Sequence, residues 1–199
     1  MKFTGTEKIT DEKGNGVATV QDFWSWAYSN LTSNTQRGMY AEYLVSIALD
    51  AVTPIRTDWA DWGPYDVLTP EGIKVEVKCS AYLQAWKQRN LSKLIFSIAQ
   101  THKFDFDADA FTYDSEFVRH ADVYVFCVET CKNPDELNER DLSQWEFYVV
   151  STAQINKELG SQKTVSPSTL VKIGARKVSF CDLRAAVLEA YQKNDKETA

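Results

Sequence analysis

The segment YDVLTPEGIKVEVKCS, residues 65–80, sets two carboxylates and two amines around a short turn. Thr69-Pro70-Glu71-Gly72 is strong turn chemistry: proline suits the first corner, and glycine accepts the left-handed backbone that closes a type I turn with a bulge. A three-residue loop pairs Thr69 with Ile73, so Leu68 meets Lys74, Val67 meets Val75 and Asp66 meets Glu76. Side chains alternate along a strand. Tyr65, Val67, Ile73, Val75, Val77 and Cys79 then share one apolar face, while Asp66, Lys74, Glu76 and Lys78 share the other with Leu68. Like charges directly opposite destabilise a sheet, and away from water a close pair is driven to share a proton. A divalent cation removes that conflict, because Mg2+ takes one or two carboxylates together with waters and phosphate oxygens. The alternative is a solvated hairpin face on which Lys74 and Lys78 neutralise Asp66 and Glu76.

Other elements must position this hairpin. Thr19 is placed to cap a helix whose Phe23, Trp24, Ala27 and Leu31 recur at helical spacing. After a polar break, TSNTQRG, a second helix over MYAEYLVSIAL carries an apolar stripe of Tyr40, Leu44, Ile47 and Ala48, with Glu42 in its middle. SKLIFSIA, DVYVFCVE and WEFYVVS read as strands from their β-branched and aromatic residues. Ser151 caps a short helix, TAQINKEL, that Gly160 ends. The last helix spans SFCDLRAAVLEAY, with Ser179 and Asp182 as a capping box and Phe180, Leu183, Val187 and Tyr191 facing inward. The 199 residues fit one α/β domain, with residues 1–17 and 192–199 peripheral or flexible.

Asp66, nine intervening residues and then Glu76-Val77-Lys78 resemble the PD-(D/E)xK nuclease superfamily. RGMYAEYLVSIAL looks like the helix that often precedes that hairpin, with Glu42 in the matching place. The resemblance covers Thr35 to Ala99, and departs from the pattern in Pro64-Tyr65-Asp66, where one residue separates proline from aspartate. It implies a restriction-endonuclease-like fold, a central mixed β-sheet flanked by helices. It also implies an endonuclease acting on nucleic acid, DNA above all, with Mg2+ or Mn2+ as cofactor. Asp66 and Glu76 would bind the metal, helped by the Val77 carbonyl and by Glu42 directly or through water. Lys78 would orient or deprotonate the attacking water and offset charge on phosphorus. The products would be a 5′-phosphate and a 3′-hydroxyl. Ser80 and Gln84, further along the same strand, are candidates to touch phosphate or base, and Tyr82 and Trp86 to stack on an unpaired base. Gln88 extends that row. Arg37 is a candidate substrate contact, or the partner of a purely structural Glu42. A single short domain holding one site is compatible with a homodimer. The reading set against catalysis is a nucleic-acid-binding or assembly module on the same fold.

Composition narrows the remaining classes. A formal net charge of −6 argues against a broad basic surface, though it leaves room for a local strip such as Lys87, Arg89 and Lys93. No apolar run approaches the ~20 residues of a membrane helix, and the N-terminus lacks a secretory core, which points to the cytoplasm. Cys79, Cys127, Cys131 and Cys181 are widely spaced and read as reduced thiols. Trp59 and Trp62 read as packing or as an aromatic rim. Asp105, Asp107, Asp109 and Glu116 imitate a calcium loop, but Ala110 stands where its sharp turn needs glycine. His102 and His120 sit in no metal or triad motif, and no phosphate-binding glycine loop occurs.

Overall fold

The computed structural model describes residues 3–51, 63–105 and 112–198. A hairpin of β1 (Lys8–Thr10) and β2 (Gly16–Thr19) leads into α1 (Val20–Tyr28) and α2 (Asn34–Ala48). Then come β3 (Val67–Leu68), β4 (Lys74–Ala81), β5 (Phe96–Ser97), β6 (Thr101–Asp105), β7 (Thr112–Val118) and β8 (Val123–Glu129). The chain continues with β9 (Trp145–Ser151), α3 (Thr152–Leu159), β10 (Thr164–Val165), α4 (Pro167–Lys172), β11 (Arg176–Val178) and α5 (Leu183–Thr198). No described helix is long and apolar enough to cross a membrane.

The central sheet has five strands in the order β11-β9-β8-β4-β3. It is mixed: β4 and β8 run parallel, and every other neighbouring pair is antiparallel. β8 is buried along its whole length, as a strand covered on both faces must be. α2 and α5 close one face over Leu44, Val45, Val75, Phe147 and Leu183. α3 and α4 close the other over Phe126, Val150, Ile155 and Leu170. The parallel crossover from β4 to β8 contains, among its described residues, β5 and the β6–β7 hairpin rather than the usual helix.

Alternation along β4 decides what the sheet offers. Val75 and Val77 enter the core beneath α2, each burial stabilising by about 1.5–3 kcal/mol. Glu76, Lys78 and Ser80 take the opposite face, beside Tyr124, Phe126 and Val128 across the parallel ladder. A slip of one residue would bury the charges and expose the valines, so the register is strongly held.

Several expectations need correction. Thr19 does cap α1, in a reciprocal box with Asp22, but the helix ends at Tyr28 and buries none of its residues; Phe23 and Trp24 face solvent. α2 begins at Asn34, inside the supposed polar break, because its buried face is Arg37, Ala41, Leu44 and Val45 and leaves Ile47 exposed. Of SKLIFSIA only Phe96–Ser97 forms a strand. Ser179 makes no backbone cap; its hydroxyl donates to Asp182 Oδ2 at 2.8 Å, and a 3-10 turn precedes α5. The described leading residues include the β1–β2 hairpin, and α5 runs on to Thr198, meeting no Gly or Pro after Leu183; neither contradicts a peripheral place for the two ends. Glu116 lies on β7, while Asp107 and Asp109 fall outside the described residues, as do Trp59 and Trp62. All four cysteines are free thiols.

Candidate active site

The turn forms as its residues require. Gly72 adopts φ +84°, its N–H donates to the Thr69 carbonyl at 2.9 Å, and the Thr69 N–H donates to the Ile73 carbonyl at 3.0 Å. Val67 faces Val75 and Leu68 faces Lys74, the register counted from the loop. Arg184 of α5 holds the turn from outside through Glu71 and through Asp50 at 2.8 Å. On the other edge of β4, Asp122 Oδ2 accepts the Lys74 N–H and the Asp122 N–H donates to the Lys74 carbonyl, both at 2.8 Å.

Beyond Val67 the ladder changes character. The Asp66 N–H donates to the Val75 carbonyl at 3.1 Å, and Asp66 Oδ2 accepts the Val77 N–H at 2.7 Å. The carboxylate therefore takes a backbone donor of β4 as its own partner, which fixes where it stands. Tyr65 leaves the apolar face assigned to it and packs on the opposite core, the cluster that contains Phe126 and Tyr148.

Lys78 Nζ forms an ion pair with Glu76 Oε1, and both side chains are partly sheltered. Burial pushes the Glu76 carboxyl above its usual range, and the negative charge of Asp66 pushes it further, against the pull of Lys78. For Lys78, burial disfavours the ammonium, but the charges of Glu76, Asp66 and Glu42 outweigh it and hold the amine above its ordinary value. Asp66, Glu76, Lys78 and the half-buried Glu42 of α2 thus share one electrostatic neighbourhood. His120, which sequence spacing did not single out, also acts on Glu76; its Nε2 donates to the Thr101 carbonyl at 2.9 Å.

The donor chemistry suits a hard divalent cation. Two carboxylates repel one another beside a single ammonium, and one of them is held above its usual pKa by burial first and by that repulsion second. Among the described residues, no group of three or more His, Cys, Asp and Glu gathers as a ready metal cage. Mg2+ needs no such cage, since one or two carboxylates with waters and phosphate oxygens suffice.

The outer candidates separate into two groups. Ser80 sits one pleat beyond Lys78 on the same face. β4 ends at Ala81, so Gln84, Trp86 and Gln88 do not extend its row. Arg37 is buried and donates to the carbonyls of Thr32 (3.0 Å) and Leu83 (3.1 Å), to Asn34 and to Gln84 Oε1 (3.0 Å). Gln84 Nε2 donates back to the Ala81 carbonyl at 3.0 Å, and Gln88 Nε2 braces the same loop at Tyr82 and Ser92. These groups hold the exit of β4. Arg37 also lies 3.8 Å from Glu129, whose carboxylate is 1% exposed, has no hydrogen-bond partner among the described residues, and is pushed up to about 7 by burial.

Past Ser80, the sheet face opens into a cleft of about 450 Å3 lined by Tyr82, Lys93, Val128, Lys132 and Tyr148 among others. Lys132 Nζ stands 4.7 Å above the Tyr82 ring. Sequence spacing identified Tyr82 but not Lys132 or Tyr148, which lie on distant segments and carry no local motif. Lys87 and Arg89 point to solvent away from any described partner.

Residues 7–166 match the family model of bacteriophage T4 endonuclease IV, a span that contains α1, α2, the hairpin and β8 and β9. No curated protein sequence matches the chain.

Proposed function

Because the chain belongs to the bacteriophage T4 endonuclease IV family, and so is a nuclease acting on nucleic acid, we propose that it is a metal-dependent endonuclease that hydrolyses DNA phosphodiester bonds through a PD-(D/E)xK centre. One observation carries this reading: Asp66 is bonded to the backbone of β4 beside Glu76, with the Lys78 ammonium paired to Glu76 on the same strand. The mixed sheet with α2 packed on β4 supports a restriction-endonuclease-like arrangement.

Asp66 and Glu76 would hold Mg2+ or Mn2+, with the Val77 carbonyl alongside and Glu42 as a direct or water-bridged donor. The bound cation supplies Lewis-acid polarisation of the scissile phosphate and a water of lowered pKa. Lys78, kept charged by the surrounding carboxylates, is suited to orient that water and to offset negative charge growing on phosphorus. A role as proton acceptor fits it less well, because its amine is held above the ordinary range. Hydrolysis would leave a 5′-phosphate and a 3′-hydroxyl.

The test is direct. The chain is incubated with single- and double-stranded DNA and RNA in EDTA, then with Mg2+ or Mn2+ restored. Cleavage of DNA only after restoration is the expected result. Cleavage in EDTA would overturn metal dependence, and a chain inert on every substrate would favour the non-catalytic module.

A further inference from the structure

We infer that the cleft beside Tyr82 is the subsite that receives one unstacked base of the bound strand, next to the phosphate being cut. This rests on the hairpin being the cleavage centre. Three observations point to the cleft. First, it continues the reacting face: Glu76, Lys78 and Ser80 run beside Tyr124, Phe126 and Val128, and Val128 is a wall of the cleft. Tyr82 follows Lys78 by four positions, just past the end of β4, roughly 13 Å at the usual strand rise. A strand lying along this face would pass from one to the other.

Second, the lining has the chemistry of a nucleotide. Tyr82, half-buried, offers ring surface on which any base can stack, with the buried Tyr148 in the cleft wall. Lys93 and Lys132 line the same space, and among the described residues neither meets a carboxylate at ion-pair distance. The nearby Glu146 is already engaged, by Lys177 Nζ at 2.7 Å and by the Tyr148 hydroxyl at 2.9 Å, so it does not neutralise them. In a chain of net charge −6, two unneutralised ammonium groups facing one cleft select a negatively charged guest.

Third, the size discriminates. About 450 Å3 lies within the range of small-ligand sites, room for a base and its phosphate but not for a duplex. A base must leave its stack to enter, as in other enzymes that hold a base in a pocket. Lys132, poised over Tyr82, keeps the ring in position through a cation–π contact and is within reach of a phosphate beside it.

Binding is measured in EDTA, so that no strand is cut, with fluorescein-labelled single-stranded DNA and RNA and a fully paired duplex. Tyr82→Leu should weaken single-strand affinity on the order of 5- to 100-fold. Lys132→Gln and Lys93→Gln should each lower the salt slope by about 0.7. Both lysines and Tyr82 sit outside the regular elements, and thermal melts confirm that each variant is folded. A 2-aminopurine moved base by base along the strand should change emission at one position with the wild-type chain and at none with Tyr82→Leu. Unchanged affinity and salt slope in all three variants of a chain that still cleaves would overturn the subsite while leaving the nuclease reading intact. So would duplex binding equal to single-strand binding with the same Tyr82 dependence. Tyr82-dependent binding by a chain that hydrolyses nothing would retain the subsite and overturn the nuclease reading.

Discussion

Replacing Asp66 separates its two tasks, because one oxygen is committed to the backbone of β4 while its charge acts on Glu76. Asp66 Oδ2 accepts the Val77 N–H at 2.7 Å in a half-buried setting. A hydrogen bond to a charged acceptor contributes about 1.5–3 kcal/mol and a neutral one about 0.5–1.5 kcal/mol. Asp66→Asn keeps an acceptor for Val77 and removes the like charge that raises Glu76, so the two changes offset. Its metal-free stability should stay within about 1 kcal/mol of wild type. Asp66→Ala leaves the Val77 N–H without its partner, costing about 1–3 kcal/mol, or roughly 2–12 °C in Tm for a domain of this size. Wild-type protein with Mn2+ at 100 times its Kd should gain about 2.7 kcal/mol, roughly 5–11 °C. Both variants should lose that gain and the cleavage with it. Scanning calorimetry with and without Mn2+, beside a cleavage assay, reads all four quantities. Asp66→Asn protected by Mn2+ as fully as wild type would refute Asp66 as a ligand. Asp66→Ala as stable as wild type without metal would refute the bond to Val77.

Lys78→Met should cut cleavage by about 10²- to 10³-fold while leaving Mn2+ protection equal or greater, because the ammonium no longer competes for Glu76; single-turnover rates and melts check both. Glu129 titrates near 7 in the folded chain against about 4.5 when unfolded, so its stabilising proton is fully held below the unfolded value and lost as pH rises through 7. Wild type should therefore lose on the order of 3 kcal/mol relative to Glu129→Gln between pH 4.5 and pH 8, measured by urea denaturation. Gly72→Ala forces a left-handed backbone on a side chain that meets nothing within 4 Å, so strain alone should cost about 1–2 kcal/mol and lower Tm by roughly 2–8 °C without loss of register.

Much of what positions the site could be read from neighbouring residues alone. Thr69-Pro70-Glu71-Gly72 specified the loop, and the loop specified that Val67 faces Val75, because a side-chain period of two leaves no freedom once one pair is set. β8 and β9, the Thr19 and Ser151 caps and the Gly160 stop were likewise local matters of propensity and hydrogen-bond supply. Tertiary packing decided the rest. The aromatic stripe of α1 has the right period for burial, yet among the described residues nothing buries it, and period does not say what lies opposite. Arg37 and Gln84 carried the polar groups of substrate contacts, but docking of α2 over the end of β4 turned them toward each other. Tyr82, Lys132 and Tyr148 belong to three remote segments, and only the parallel pairing of β4 with β8 and the antiparallel pairing of β8 with β9 bring them to one cleft. Short-range sterics and register are written in adjacent residues. Which surfaces meet is settled by burying the most apolar area at once, a property of the whole chain.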